Sequence, residues 1–566
     1  MGEDLTSPSV VLCELSDFSG PQDGFVALSH CWGIGQNFCT TRSNLEAHKA
    51  EILISQLPRT FKDAITVVRG LGLRYLWIDS LCIVQDDPED WQQEAAKMAS
   101  VYGNAHVVIA AARGSSDAEG FLGLRPPYDS VSLSPETKSP GSPAVELALH
   151  LRLPESRSWT TLGVDAAVSE EPLGRRAWVL QERYLARRTL LYGSEQLFWE
   201  CAEMGASEEG EKKRLDGTRL AKIRKTANVS DTVQQRASRD PEVGNANVNY
   251  KDWYEMIEDY SRRAITKHSD RLPALSGLAK ATAASSRDEY LAGLWKTGLI
   301  EGLAWCKGQD TQTLAQPTEF VAPSWSWASI FGPVDFPLYK WVDRTLWLSN
   351  LGDFEPLATY GDHQLNLGGA DSHGQLTGGW LKIKVGVLWP ITSITAQQEE
   401  PPRVIYYWVQ EAGRSPYTDK CIGVKFEHWS QDIEFWMDGG FDLENPASAE
   451  TGGRELFVLF LARWPLLADG AFIEHRFGLI IEKLGGDRYR RVGFVDGQVL
   501  RKVYSPSKRE ELRRAGDADA ETLGIAAYLR AGKSGDWEEE GIRRNDFAYD
   551  PLPQLVGGEG TDVTLV

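Results

Sequence analysis

The N-terminal part of the chain alternates short apolar runs with segments whose apolar side chains recur at helical spacing. The apolar runs are FVALS at Phe25–Ser29, YLWID at 75–79 and HVVIAAA at 106–112. Residues 60–71 and the residues after Asp87 place apolar side chains three and four positions apart, which is typical of amphipathic helices. Strand, helix, strand, helix and strand at these spacings predict right-handed crossovers and a short parallel sheet. The predicted fold class is therefore α/β.

Capping chemistry predicts where the two helices begin. Thr60, followed three residues later by Asp63, predicts the start of the first helix. Asp87 followed by Pro88 predicts the start of the second, because an aspartate accepts the first free amides and proline suits the first helical position. Gly70 and Gly72 predict the end of the first helix.

The pattern divides the chain into four parts. We expect a lead at 1–22, an α/β domain at 23–183, a helical region at 184–330 with a mobile insertion at 203–249, and a β-rich region at 331–566. The insertion is charged and poor in large apolar side chains. In the C-terminal region, runs such as LFVLFLARW and FGLIIEKL are separated by turn residues, which predicts an antiparallel module.

Within the helical region, apolar residues at three- and four-residue spacing predict helices at 253–280 and 290–307. The segment PSWSWAS places Trp325 and Trp327 on one side of an extended stretch. We expect both indoles to be buried as packing residues.

Charge excludes several classes of partner. The chain has 60 Lys and Arg against 80 Asp and Glu, a formal net charge of −20. A surface of this sign repels phosphate backbones and anionic lipids, so we expect no nucleic-acid binding. No apolar run approaches the roughly 20 residues that span a bilayer, so we expect no membrane span.

The cysteines and the first residues of the chain indicate the cellular compartment in which we expect the protein. Seven cysteines include no C-x-x-C pair, and the start carries no secretory signal, which indicates a cytoplasmic protein with reduced thiols. The start matches M-G-x-x-x-[ST], and whether Gly2 is myristoylated stays open. Neither a metal-ligand spacing such as H-x-x-x-H nor the phosphate loop G-x-x-x-x-G-K-[ST] occurs, so we expect no bound metal.

Polar residues directly follow the first two predicted strands, at the end of the sheet where open α/β folds collect ligands. These candidate substrate-binding residues are Ser29, His30, Trp32, Asp79, Ser80, Cys82 and Gln85. Two interpretations stay open. Either this edge binds a ligand, with Trp32 stacking on a flat ring, or Asp79 caps nearby amides while Trp32 packs as a lid on the sheet.

Glu94 is the candidate catalytic acid. On a helical wheel Trp91, Met98 and Tyr102 share a buried stripe, and Glu94 lies on its edge. Beside large apolar side chains a carboxyl group can have a raised pKa, and it can bind a ribose hydroxyl or stabilise an oxocarbenium-like transition state. Alternatively, Glu94 is a solvated acid that only favours the helix.

Two further hypotheses concern thiols and arginines. Cys31 or Cys82 with His30 could form a thiol nucleophile and its base, although a buried thiol is usually inert. A pyrophosphate would need a guanidinium partner, and Arg183 is the best placed. The arginines considered for that role are Arg59, Arg74, Arg175, Arg176 and Arg183.

Several ordered blocks resemble the fungal heterokaryon incompatibility (HET) domain. They are VALSHCWG, LPRTFKDAI, YLWIDSLCIVQDDPEDWQQEAAKM and VYGNAHVVIAAA, and RRAWVLQER resembles the closing block of that domain. SDRLPALSGLA and PSWSWAS are similar to blocks of long HET-domain proteins, so the resemblance covers about residues 25–330. His30 departs from the pattern, since the family more often has tyrosine there.

The resemblance implies a role in fungal non-self recognition, in which HET domains trigger programmed cell death after incompatible hyphae fuse. It also implies a distant similarity to TIR domains, which have a flavodoxin-like sheet and in some branches cleave NAD⁺ with one glutamate on a helix. Matched onto this sequence, that acid is Glu94, and NAD⁺ is a substrate rather than a bound cofactor. The alternative is a non-catalytic signalling module that self-assembles or docks a partner incompatibility protein.

Overall fold

The structure is a computed structural model. Gly2, residues 215–249 of the expected insertion and the C-terminal run VIYYWVQ lie outside the residues that it describes. The described residues are 7–14, 24–35, 38–125, 130–133, 147–150, 169–210, 212–214, 250–308, 319–337, 355–386, 388–390, 393–396, 422–425, 434–437, 454–468, 471–502 and 560–566.

Helices and strands are numbered in chain order. The α-helices are α1 (Leu45–Ala50), α2 (Arg59–Gly70), α3 (Asp79–Cys82), α4 (Pro88–Asn104), α5 (Ala177–Leu185), α6 (Lys251–Ser261), α7 (Ser276–Ser286) and α8 (Leu299–Gly302). Short 3₁₀ helices lie at Ile54–Gln56, Leu173–Arg175, His268–Asp270, Pro273–Leu275 and Trp327–Ser329.

The strands fall into an N-terminal and a C-terminal series. The N-terminal strands are β1 (Ser9–Val10), β2 (Phe25–Ser29), β3 (Ile52–Leu53), β4 (Tyr75–Ile78), β5 (Val107–Ala110), β6 (Ser130–Leu133), β7 (Leu147–His150), β8 (Arg188–Tyr192), β9 (Leu197–Cys201), β10 (Met204–Ser207) and β11 (Lys212–Arg214). The C-terminal strands are β12 (Tyr290–Leu291), β13 (Leu294–Trp295), β14 (Cys306–Lys307), β15 (Val334–Asp335), β16 (Glu355–Pro356), β17 (Ala358–Leu367), β18 (Leu376–Val385), β19 (Trp389–Pro390), β20 (Ser393–Ala396), β21 (Ile422–Lys425), β22 (Glu434–Met437), β23 (Leu456–Ala468), β24 (Ala471–Gly485), β25 (Arg488–Lys502) and β26 (Thr561–Leu565).

The chain divides into two compact units. The first unit comprises Met1–Val248, Arg263–Arg287 and Gly369–Gln375. The second comprises Asn249–Arg262, Asp288–Gly368 and Leu376–Val566.

The first unit is built on a mixed sheet of order β11-β10-β9-β8-β5-β2-β4. The strands β4, β2, β5 and β8 are parallel, and β8 to β11 continue the sheet in antiparallel pairs. The chain enters through β2, passes along α2 to β4 at one edge, and returns along α4 to β5 on the other side of β2. The predicted α/β fold is therefore confirmed, and the strand order reverses next to β2, where such sheets bind ligands.

Helices cover both faces of this sheet, because successive strand residues point to opposite sides. The face covered by α2 is packed by an apolar cluster that includes Val26, Leu28, Phe61, Val68 and Ile109. The face covered by α4 is packed by Ala27, Met98, Tyr102 and Val108. Each large apolar side chain buried in this way stabilises the folded state by about 1.5–3 kcal/mol.

The start of α2 differs from the prediction. The helix begins one residue before Thr60, and Pro58 occupies the capping position. Asp63 instead accepts hydrogen bonds from the amides of Phe121 and Leu122, at 2.7 and 2.9 Å. The acid that was predicted to cap a helix therefore fixes the loop after β5.

The start of α4 is as predicted. Asp87 accepts hydrogen bonds from two amides of the first turn, and Pro88 is the first helical residue. The preceding strand ends one residue earlier than expected, at Ile78, so that Asp79 begins the short helix α3.

Residues 184–214, which we expected to begin a helical region, extend the sheet instead. Along β8, β9 and β10, residues alternate between more and less buried positions. This period of two is typical of half-buried strands. The helical interpretation is therefore wrong here, and the first part of the expected insertion forms β10 and β11.

The second unit contains a β-rich sheet of order β16-β23-β24-β25-β26-β18-β17, with β19 paired to β23 and β22 to β25. Its pairs are antiparallel except for β25 with β26. The predicted β-rich C-terminal region is thus confirmed. Trp325 and Trp327 are fully buried, as expected.

The helix predicted at 290–307 is wrong at its start, where β12 and β13 form a hairpin. Ala292 and Gly293 have φ values of 48° and 98°. A right-handed helix cannot pass through this left-handed backbone. The helical part of the segment is the short α8. No helix among the described residues has the length and apolar character needed to cross a membrane.

Candidate functional site

Ser29 and Glu182 meet at the carboxyl end of β2. Ser29 is the last residue of that buried strand, and α5 brings Glu182 over its end. The Ser29 hydroxyl donates to Glu182 Oε2 at 2.5 Å. The hydroxyl of Tyr102, from α4, lies beside the same carboxyl group and donates to the carbonyl of Leu28 at 3.2 Å. Three elements therefore surround one buried carboxyl group.

Asp79 joins the ends of β2 and β4 through its side chain. Its Oδ2 accepts from the indole Nε1 of Trp32, and its Oδ1 accepts from the amide of Ser80, both at 2.8 Å. His30 Nδ1 lies 3.8 Å from Oδ1, which is beyond hydrogen-bond length. The side chain of Gln85 donates to the Asp79 carbonyl at 3.1 Å. The loop after β4 is thereby tied to the loop after β2.

Arg176 brings a cation to the same edge. The residue lies directly before α5, and its backbone pairs with Ala264. Its Nη1 donates to the carbonyl of His30 at 2.9 Å, and the guanidinium lies near the thiol of Cys31. The side chain is partly exposed.

Burial pushes two groups of this site towards their neutral forms. Burial raises the pKa of Glu182 to about 7; the hydrogen bond from Ser29 opposes this rise, and the charge of Asp79 adds to it. Burial also lowers the pKa of His30 to about 4, against the attraction of Asp79. Between these two pH values both side chains are neutral.

The electrostatics of the two candidate thiols disfavour a nucleophile. Burial raises the pKa of Cys82 to about 12. Burial also raises the pKa of Cys31, against the lowering effect of Arg176. A reactive cysteine needs a substantial thiolate fraction near neutral pH. Both of these thiols stay protonated there.

Glu94 is held by a neighbour on its own helix. Its Oε1 accepts from the ammonium of Lys97 at 2.7 Å, and its side chain is 21% exposed. Its charge is close enough to Cys82 to raise the pKa of that thiol. Glu94 thus lies near the loop after β4 but is ion-paired on α4, whereas Asp79 and Trp32 bond to each other directly.

Arg183 is placed in a buried ion pair. Its Nε and Nη2 donate to the two carboxylate oxygens of Glu200 at 2.9 and 2.6 Å. The two side chains are 7% and 0% exposed. Consecutive residues of α5 therefore face different strands: Glu182 reaches β2, and Arg183 reaches β9. The guanidinium that we predicted for a pyrophosphate is neutralised by a protein carboxylate.

Most of the predicted edge residues come together because β2 and β4 are adjacent and in register, with Leu28 opposite Ile78. The predicted residues at this edge are Ser29, His30, Trp32, Asp79, Ser80, Cys82 and Gln85. The Ser80 hydroxyl is buried and has no hydrogen-bond partner among the described residues.

Sequence reasoning missed Glu182, and it ranked Arg176 behind Arg183 as the arginine for a pyrophosphate. Glu182 and Arg176 both belong to the block RRAWVLQER, whose charged residues stand among large apolar ones. In the structure α5 is buried along its length, apart from a half-buried Trp178. A helix that must be buried all round forces its acid to find a buried partner, and that signal was available in the block.

Metal ligation finds no support in the part of the chain that the structure describes. No group of three or more His, Cys, Asp or Glu side chains there could hold a metal ion. The polar groups of the site offer hydroxyl, carboxylate, imidazole, indole and guanidinium chemistry instead.

Comparison with known proteins places this site within a family. Residues 25–182 match the family described as Heterokaryon incompatibility protein (HET). No curated protein and no solved structure gives a significant match. The matched segment contains both strand ends and closes at Glu182. Residues 25–182 of the chain are therefore a heterokaryon incompatibility (HET) domain.

Proposed function

We propose that this HET-domain protein is an effector of heterokaryon incompatibility that promotes cell death by hydrolysing NAD⁺. The observation that carries the proposal is the hydrogen bond from Trp32 to Asp79 at the carboxyl ends of β2 and β4. It joins a flat aromatic surface to a carboxylate that is 20% exposed. Such a pair suits a ligand that contains an aromatic ring and a sugar.

The reaction breaks the bond between ribose C1′ and the nicotinamide nitrogen. The electron pair leaves with nicotinamide, and water adds to C1′ and releases a proton. A carboxylate near C1′ stabilises the positive charge that develops on the sugar. We assign this role to Glu94, with Asp79 and Trp32 binding the substrate, and Lys97 must then release Glu94 when substrate arrives.

The test is nicotinamide release from NAD⁺ by the full-length chain. We expect Glu94→Gln and Asp79→Asn each to lower the rate by about a hundredfold. Glu89→Gln is the matched control, because Glu89 is an exposed acid on the first turn of the same helix. Full activity of Glu94→Gln with loss in Asp79→Asn would transfer the acid role to Asp79. Equal activity of all variants would exclude this site.

A second candidate function is non-catalytic signalling through self-assembly or partner docking. It is favoured by the low exposure of Ser29, His30 and Glu182, at 2%, 5% and 6%. A network enclosed to this degree can fix the shape of the loops for a partner. Under this candidate, cells that express wild type or Glu94→Gln die equally, and their NAD⁺ concentration does not fall.

A further inference from the structure

Among the described residues Arg176 has no acidic partner, unlike Arg183 and Arg42. Arg183 is neutralised by Glu200, and Arg42 pairs with Asp87. In the described ranges no carboxylate lies within ion-pair distance of Arg176. Its guanidinium has five N–H groups, and Nη1 donates to the His30 carbonyl. An available cation therefore stands at the sheet edge of a chain with net charge −20.

A second observation at the same edge also points to a ligand. His30 Nδ1 is buried and has no hydrogen-bond partner among the described residues. It lies 3.8 Å from Asp79 Oδ1. A hydroxyl group between these two atoms could bond to both, since it can donate to the carboxylate and accept from a ring N–H.

His30 connects the Arg176 cation with the pair of His30 Nδ1 and Asp79. Its ring faces Asp79, and its carbonyl accepts from Arg176. The chemistry on the two sides differs. One side suits a sugar hydroxyl, and the other suits an anion such as phosphate, which guanidinium binds with paired donors. A phosphorylated ribose carries both groups within a few bonds.

We propose that Arg176 binds the phosphate of a nucleotide while His30 and Asp79 bind a ribose hydroxyl, so that the site selects nucleotides over nucleosides. This inference deepens the proposed function, on which it rests for the location of the site. It gives Arg176, rather than Arg183, the role of the phosphate-binding arginine.

The test is calorimetric binding of three probes to the full-length chain: ADP-ribose, adenosine and inorganic pyrophosphate. We expect wild type to bind ADP-ribose more tightly than either other probe. Arg176→Gln should weaken ADP-ribose binding about ten- to hundredfold, because a charge-assisted hydrogen bond is lost. Adenosine binding should not change. Raised salt should weaken ADP-ribose binding in wild type more than in the variant.

Two variants control for the fold and for general charge. Arg175→Gln removes an exposed neighbouring cation and should leave ADP-ribose binding unchanged. Arg176→Lys keeps the charge without the paired donors and should retain part of the binding. Equal binding of ADP-ribose by wild type and a folded Arg176→Gln would overturn the inference, and so would pyrophosphate binding as tight as that of ADP-ribose. Nucleotide binding without nicotinamide release would overturn the proposed NAD⁺ hydrolysis and leave this inference standing.

Discussion

At the scale of single residues, the site holds two buried groups whose titrations oppose each other. Between pH 4.5 and 6.5 folded Glu182 keeps a proton that the unfolded chain releases, since its folded pKa is about 7. In the same range folded His30 lacks a proton that the unfolded chain binds, since its folded pKa is about 4. As the pH rises, Glu182 therefore lowers the free energy of unfolding, whereas His30 raises it. The two contributions nearly cancel.

Single substitutions should expose each contribution. Relative to wild type, the unfolding free energy of Glu182→Gln should rise with pH between 4.5 and 6.5, with a slope of up to about 1.4 kcal/mol per pH unit. The unfolding free energy of His30→Asn, relative to wild type, should fall with pH with a similar slope. Urea denaturation across this range measures both. Flat differences for both variants would contradict the buried titrations.

The sequence was sufficient to predict that Asp79 and Trp32 lie at the same edge of the sheet, because each comes shortly after an apolar run with the pattern of a buried strand. It did not reveal the partners of Glu94 and Arg183. Whether a carboxylate meets a lysine one turn away or a ligand depends on rotamers. Likewise, Glu200 reaches Arg183 only because β9 joins the sheet, and nothing in the spacing of the two residues indicates this.

At the scale of elements, three helices of the first unit meet at Gly277. Its amide donates to Gln181 Oε1 at 2.7 Å. A Cβ atom on Gly277 would lie 2.4 Å from the Cβ of Ala99 and 2.7 Å from the same Gln181 oxygen. This glycine therefore lets α7 approach α4 and α5 closely, and α5 is the helix that carries Glu182.

We expect Gly277→Ala to destabilise the protein by about 1–3 kcal/mol, because the helices must move apart. Gly70→Ala is the matched control, since Gly70 ends α2 and has no atom within 4 Å of an added Cβ. It should be neutral or slightly stabilising. Thermal unfolding followed by circular dichroism compares the two. Equal midpoints for both variants would show that the close approach is not required.

Strands of the parallel sheet were predictable because they are nearly continuous apolar runs between helical segments. The strands after residue 184 alternate in burial and pair with one another in antiparallel fashion, so their individual signals are weaker. Their shortness and the charged residues nearby favoured the prediction of a helical region with an insertion. The packing of α7 on α5 depends on contacts far apart in sequence and left no local signal.

At the scale of the whole molecule, the segment that matches the family is smaller than the unit that folds around it. The match ends at residue 182, yet β8 is the parallel neighbour of β5. Leu191 and Phe198 also share an apolar cluster with Ala110 and Val179. The compact unit further includes Arg263–Arg287, which contains α7.

We therefore expect a fragment of residues 23–183 not to fold on its own. It lacks the strand that covers β5, the carboxylate partner of Arg183 and the helix that packs on α5. Calorimetry should find no cooperative unfolding transition in the fragment and a clear one in the full chain. A sharp transition in the fragment would show that the family segment alone is a complete domain.

The most direct test of the proposed function is nicotinamide release from NAD⁺ by the full-length protein. It is measured for wild type and for three variants: Glu94→Gln, Asp79→Asn and Glu89→Gln. We expect release by wild type and Glu89→Gln, and a loss of about a hundredfold in the other two variants. No release by the wild-type protein at high concentration, or equal release by all four proteins, would contradict NAD⁺ hydrolysis at this site.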